Sequence, residues 1–251
     1  MIGSLLSFAA NAQQELQFNM TRGVTPVSHA QYDLHMTVFF IVVGIGVLVF
    51  GMLLYSIFRH RKSKGAKAAT FHENVQIEVI WTIIPFAILM VLAVPATKAL
   101  LAMEDTSKSE ITIAVTGYQW YWHYEYLNED ISFYSNPATT QEEIAGLVPK
   151  SQYYQLEVDN PLVVPTNTKI RFAFSANDVI HSWWVPALGV KRDTIPGFIN
   201  ESWAVIEEVG TYRGQCAELC GVRHGYMPIV VEAVTPEEFQ AWVAEQKGEE
   251  A

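Results

Sequence analysis

Within twelve residues, Cys216-Ala217-Glu218-Leu219-Cys220-Gly221-Val222-Arg223-His224-Gly225-Tyr226-Met227, the chain carries its only two cysteines, a histidine and a methionine. A second histidine, His181, lies upstream in Asp178-Val179-Ile180-His181-Ser182-Trp183. Soft sulfur donors joined by imidazoles and a weakly binding thioether form the ligand set of electron-transfer copper. One cysteine would suit a mononuclear site; two suit thiolates that bridge two coppers and share the charge of an arriving electron. Three other readings use the same residues. Cys216 and Cys220 could form a disulfide in an oxidising compartment, which leaves His181, His224 and Met227 without a purpose. A structural zinc site of two cysteines and two histidines is chemically possible, although methionine is a poor zinc ligand and the spacing departs from the usual pairs. Plain core packing accounts least well for the clustering.

The elements around these residues are short. After a linker from Glu104 to Ser109, apolar and polar residues alternate in 110–115, 155–158, 169–174 and 202–206, the period of half-buried strands. Turn signals such as Asn160-Pro161, Val164-Pro165-Thr166-Asn167 and Ile195-Pro196-Gly197 separate them. Residues 105–251 therefore read as an all-β Greek-key sandwich. Residues 136–150 read as a loop with one helical turn, and 236–247 as a C-terminal amphipathic helix presenting Phe239, Trp242 and Val243 on one face. In Gln119-Trp120-Tyr121-Trp122-His123-Tyr124-Glu125-Tyr126, alternation buries Trp122 and at least one tyrosine while exposing the other set. An exposed tryptophan is a typical interface anchor.

The first part of the chain has a different character. Residues 36–58 contain no charged side chain and are long enough to cross a hydrocarbon layer; 79–97 form a second such run. Gly44, Gly46 and Gly51 suit close helix packing in a membrane, and Pro85 and Pro95 are tolerable in a membrane helix. Between the runs, residues 59–67 hold five basic side chains. The positive-inside rule places that loop in the cytoplasm and both chain ends on the other side, the periplasm of a bacterium. Residues 31–104 thus form a two-helix transmembrane hairpin in the lipid bilayer. Residues 1–30 form an N-terminal segment whose start, with Ala10-Asn11-Ala12, reads either as a signal-peptide remnant cleaved after Ala12 or as a frayed tail.

Charge is divided in the same way. Residues 1–104 carry seven Lys/Arg against five Asp/Glu, and 105–251 carry nine against twenty-one. So acidic a surface repels nucleic acid and attracts a basic protein, although a merely solvated face has the same composition. Glu78, at the cytoplasmic edge of the second run, reads equally as a functional ionisable group and as a carboxylate favoured by a helix N-terminus. Glu218, an acid between two soft thiols, calls for a hard cation unless it is simply a surface acid. His29, His35, His60, His72 and His123 have no ligand spacing, and without Cys-x-x-Cys-His no haem is expected in this chain.

The Cys-x-Glu-x-x-Cys loop ending in His and Met, the Gln119-Trp120-Tyr121-Trp122 run, the Ile77-Glu78-Val79-Ile80-Trp81-Thr82 segment and the twin-helix anchor together resemble subunit II of haem–copper cytochrome c oxidases, over about residues 27–242. The resemblance implies a cupredoxin-like sandwich and a binuclear copper A centre held by His181, Cys216, Cys220, His224 and Met227, with Glu218 giving its backbone carbonyl. It further implies that the Glu218 carboxylate reaches a magnesium or manganese shared with subunit I. Trp120 becomes the point where electrons arrive from cytochrome c, and Glu125, Asp159, Asp178 and Asp193 become docking acids. Glu78 becomes the mouth of a proton channel. The implied complex sits in the bacterial inner membrane with subunit I, which holds haem and copper B, and with subunit III, reducing dioxygen and pumping protons. A copper-free quinol-oxidase subunit would lack these ligands. A copper-delivery protein would have no use for the hairpin, Glu78 and the aromatic run.

Overall fold

The computed structural model describes residues 18–248; the proposed cleavage after Ala12 lies outside them. Helix α1, Pro26–Arg59, opens with a capping box: the Thr25 hydroxyl accepts from the Ser28 amide at 3.0 Å and the Ser28 hydroxyl accepts from the Thr25 amide at 3.0 Å. Proline at the first helical position costs no hydrogen bond. Helix α2, Val75–Glu104, is capped by Asn74 and runs through Pro85 and Pro95. Its neighbour is α1, across a single 3₁₀ turn at Lys62–Lys64. At 1.5 Å per residue the helices extend about 51 and 45 Å, beyond the ~30 Å of a hydrocarbon core. Their most apolar stretches bury none of their residues within this chain, as lipid-facing surfaces should. A Cβ at Gly44, Gly46 or Gly51 meets nothing within 4 Å, so within this chain these glycines do not bring α1 against α2.

The rest is a sandwich of two five-stranded sheets. One contains β1 (Ile111–Tyr118), β2 (Tyr121–Tyr126), β3 (Ile131–Ser135), β5 (Ile170–Ala176) and β8 (Asn200–Ala204), in the order β3-β2-β1-β5-β8. The other has the order β4-β10-β9-β6-β7, from β4 (Leu162–Pro165), β6 (His181–Val185), β7 (Val190–Thr194), β9 (Gly210–Cys216) and β10 (Pro228–Val234). β1 and β5 run parallel, as do β4 and β10; the remaining pairs are antiparallel. Alternation does the packing: Trp122, Tyr124 and Tyr126 of β2 are buried against Phe172 and Phe174 of β5 and Trp183 of β6, while Glu125 is exposed. Two of the buried aromatic tips are paired, Tyr126 donating to the Val163 carbonyl at 2.6 Å and Trp183 to the Tyr124 hydroxyl at 3.2 Å, whereas Trp122 Nε1 is buried with no hydrogen-bond partner.

Residues 155–158 are not the expected strand. Gln155 adopts a φ of 65° and Val158 makes only an isolated bridge to Pro137. Pairing passes instead to Leu162–Pro165, all four residues of which are buried, so the alternating pattern sought there is absent. The short helix α3 (Gln141–Ile144) lies in the loop at 136–150, and α4 (Pro236–Lys247) packs Phe239 and Val243 into the core.

Candidate metal centre

Three strand ends build the site. His181 opens β6, Cys216 closes β9, and Met227 immediately precedes β10. β9 lies between β6 and β10, so the alignment Trp183↔Cys216 and the bond from the Cys216 amide to the Met227 carbonyl (3.0 Å) bring these residues to one end of the sheet. Cys220 and His224 come from the loop between. The Ala217 amide ties that loop to the Ser182 carbonyl at 2.9 Å.

One ligand atom each from His181, Cys216 and Cys220 falls within 4.8 Å of the others, and all three residues are buried. The two Sγ atoms are 3.7 Å apart and both thiols are free; a disulfide would hold them at about 2.05 Å. Cys220 Sγ lies 3.5 Å from His224 Nδ1, and Cys216 Sγ lies 3.3 Å from the Glu218 carbonyl oxygen. Met227 is fully buried. His181 Nε2 bonds Asp178 at 2.8 Å, while its Nδ1 is sealed from solvent with no hydrogen-bond partner. A buried nitrogen left unpaired beside two sulfurs is costly unless something binds it. This donor set fits copper.

The electrostatics prepare the pair for a cation. Burial pushes the Cys216 thiol up, but His181, the backbone of Ser182 and Glu218, and His224 bring it down to about 7. Burial and the neighbouring Cys216 drive Cys220 up to about 12. Two sulfurs this close cannot both ionise easily, so the pair sheds its protons in two separated steps. Burial opposes protonation of His181, yet Cys216 and Asp178 outweigh it and hold its pKa above the ordinary value. For Asp178, burial is outweighed by hydrogen bonds from His181, Val179 and Gln119, which hold its carboxyl below the usual range.

Trp120 sits in the two-residue turn between β1 and β2, half-buried, and donates from Nε1 to the Cys220 carbonyl at 3.1 Å. Gln119 Nε2 donates to the same oxygen at 2.7 Å. Gly221, with φ +118°, lets the cysteine loop approach: a Cβ there would lie 3.0 Å from Gln119 and 3.1 Å from the Trp120 ring. Gly117 has the same role beneath His181, where a Cβ would come within 2.8 Å of the ring.

The four acids are placed unequally. Asp178 lies at the metal end, and Asp193, exposed at Ser182's cross-strand position, is there too. Asp159 accepts from the Asn136 amide (2.7 Å) and side chain (2.9 Å), just beyond the Trp122↔Ser135 pair at that same end. Glu125 is exposed three residues further along β2, about 10 Å away at the usual strand rise. Glu218 is exposed at the loop tip. Glu78 is remote, in the first turn of α2, and its carboxylate accepts from the Asn74 amide at 3.2 Å. Sequence reasoning missed Gln119, Gly117, Gly221 and the bond from Asp178 to His181. The signals were present: Asp178 stands three residues before the ligand, Gln119 precedes Trp120, and Gly221 follows Cys220.

Comparison with known proteins points in one direction. Residues 111–234 match the family described as cytochrome c oxidase subunit II, periplasmic domain, and residues 13–99 match its transmembrane domain. A probable cytochrome c oxidase subunit 2 of Rickettsia conorii is 41% identical over 88% of this chain and 69% of its own length. The cytochrome c oxidase subunit 2 of Cereibacter sphaeroides is 34% identical over 98% of this chain and 89% of its own. Among solved structures, the periplasmic domain of subunit II of cytochrome oxidase from Bradyrhizobium japonicum is 42% identical. It covers 57% of this chain and 97% of its own, with a TM-score of 0.51.

Proposed function

The chain belongs to the cytochrome c oxidase subunit II family, and from that premise we propose that it takes electrons from cytochrome c at a binuclear copper A centre and hands them to haem in subunit I. It is a membrane protein and part of an oxidoreductase complex with other oxidase subunits. The observation that carries the proposal is the pair of free, buried sulfurs 3.7 Å apart, flanked by the unpaired nitrogen of His181 and by His224. His181, Cys216, Cys220, His224, Met227 and the Glu218 carbonyl would hold the metal. Bound there, a copper pair supplies reversible one-electron transfer with little rearrangement of its ligands.

This chain's residues do the rest. Strand ends hold His181, Cys216 and Met227, and the short loop tied to Ser182 holds Cys220 and His224, so little structure moves when charge arrives. Trp120 stands against the Cys220 carbonyl, which favours it as the point of arrival for electrons. Asp159, Asp178 and Asp193 lie at the metal end, and with Glu125 they give a basic donor an attractive field. Glu218 turns its carboxylate to the exterior, free for a magnesium or manganese completed by subunit I. The hairpin joins the sandwich through the start of α1 and the end of α2, so the basic loop at 59–67 lies at the far end of the helices. The positive-inside rule then puts that loop in the cytoplasm, with the sandwich in the periplasm and Glu78 at the cytoplasmic edge as a proton-channel mouth. Subunit III and the dioxygen chemistry in subunit I complete the complex.

Metal analysis and electron paramagnetic resonance on the purified full chain loaded with copper test the reading. Two coppers per chain sharing one unpaired electron are expected. A single metal ion, or Cys216 linked to Cys220, would overturn it.

A further inference from the structure

Asp178 is at the centre of a set of contacts that joins two of the candidate ligands. Its Oδ1 accepts from His181 Nε2 at 2.8 Å and from the Val179 amide at 2.6 Å; its Oδ2 accepts from the Gln119 amide at 2.7 Å. Gln119 in turn donates its side-chain amide to the Cys220 carbonyl, as Trp120 does with its indole. One carboxylate therefore connects a histidine ligand, the tryptophan segment and the backbone of a cysteine ligand. His181 is fully buried whereas the Asp178 side chain is 29% exposed, so the acid closes the ligand off from the outside.

We propose that Asp178 is a positioning residue of the metal centre, fixing which nitrogen of His181 faces the sulfurs and locking the Trp120 turn to them. This rests on the copper reading above and gives Asp178 a role that a docking charge does not need. The physical case is direct. Three donors converge on the carboxylate, and a hydrogen bond from the far ring nitrogen to an anion sets the tautomer and raises the basicity of the near one. A more basic imidazole favours the oxidised metal. Asn in this position offers one acceptor oxygen and turns an NH₂ group toward a donor, so at least one of the three bonds is lost.

The test is a potentiometric titration of the copper electron paramagnetic resonance signal in the purified oxidase complex, comparing Asp178→Asn with Asp159→Asn. Asp159 is an acid at the same end that touches neither His181 nor the tryptophan turn. D178N should alter the copper hyperfine pattern and favour the reduced form about three- to tenfold, tenfold being 59 mV for one electron; D159N should leave both as in wild type. Asp178→Glu keeps the charge but not all three bonds, so it should shift the potential part of the way. If D178N fails to assemble, D178E decides the question alone. Wild-type signal and potential in D178N, or in D178E where it must decide, with only the salt dependence of electron uptake changed, would overturn the proposal and leave Asp178 a docking charge. Wild-type oxidase without a two-copper signal would instead refute the underlying reading of the site.

Discussion

Gly117→Ala is the substitution that most directly tests how the fold positions the proposed metal ligands. Gly117 lies on β1, whose inner face supports the His181 ring across the sandwich. An added Cβ would lie 2.8 Å from His181 Cδ2 and 3.0 Å from both His181 Cγ and the Thr194 hydroxyl. Ordinary contact begins near 3.4 Å, so the ring must retreat by about 0.6 Å, three times the ~0.2 Å tolerance of a metal–ligand distance. It cannot pivot freely, because Nε2 is held by Asp178. Overpacking of this size costs about 1–3 kcal/mol, against which the stiffer unfolded chain returns about 0.4–1 kcal/mol. The net expectation is a metal-free protein destabilised by about 1–2 kcal/mol yet folded, with copper bound about 10- to 100-fold more weakly. Urea unfolding of the apo chain and a competition titration with a copper chelator measure the two quantities separately. If G117A folds less stably but keeps wild-type copper affinity and spectrum, the strand beneath His181 does not set the ligand's position and the reasoning fails.

Three further outcomes follow from the site and its surroundings. Glu78→Ala should slow proton-coupled turnover of the assembled oxidase while copper reduction by donor stays as in wild type; unchanged turnover would reduce Glu78 to a cap of α2. Raising ionic strength from low salt to 0.15 M, where the screening length falls to about 8 Å, should slow the bimolecular reaction with cytochrome c, and a flat salt profile in stopped flow would remove the acidic steering. Copper capture by the apo chain should fall as pH drops through about 7, because Cys216 then holds its proton and thiols bind as thiolates. Below that point the rate should decline about tenfold per pH unit as the thiolate population does, and a rate independent of pH between 5 and 8 would contradict it.

The parts of the molecule that could be read from sequence are those whose physics is local. The hairpin announces itself by uncharged length, α4 by its apolar face of Phe239, Trp242 and Val243, and the candidate ligands by soft donors in one short loop. Alternation placed Trp122 and at least one tyrosine inside, and β2 buries both Tyr124 and Tyr126 with it, since every second residue must face the same layer. What escaped was non-local. Residues 155–158 alternate but have no strand beside them, whereas the buried run Leu162–Pro165 finds β10 as a parallel partner 69 residues on. Asp178 carries charge like the other acids, and only the fold reveals that it faces a ligand nitrogen. The glycines 117 and 221 are silent as letters; their meaning is the ring and the indole that occupy the space a side chain would need.

The anchor and the candidate metal loops hold opposite ends of the same strands, which bears on how the proposed electron path is kept fixed. The start of α1 is tied to the β6–β7 turn: Thr25 donates to the Leu188 carbonyl at 2.8 Å, and Gln31 to that of Gly189 at 2.9 Å. The end of α2 is held by an ion pair between Glu104 and Arg192, and by Trp203 donating to the Ala102 carbonyl at 3.0 Å. Lys169 grips the following linker through the Asp105 and Ser107 carbonyls at 2.8 and 2.7 Å. His181 is at the other end of β6, four residues or about 13 Å from Val185, the strand end that leads into the turn held by α1. Two separate attachments remove the swivel that a single linker would leave, so the height and tilt of the metal end follow from the hairpin. Because the hairpin grips the far end, the cysteine loop stays uncovered, with Leu219 78% and Val222 88% exposed. Apolar side chains at such a tip cost solvation unless another subunit covers them, and a rigidly held, uncovered tip lets that subunit meet the metal ligands at a constant distance.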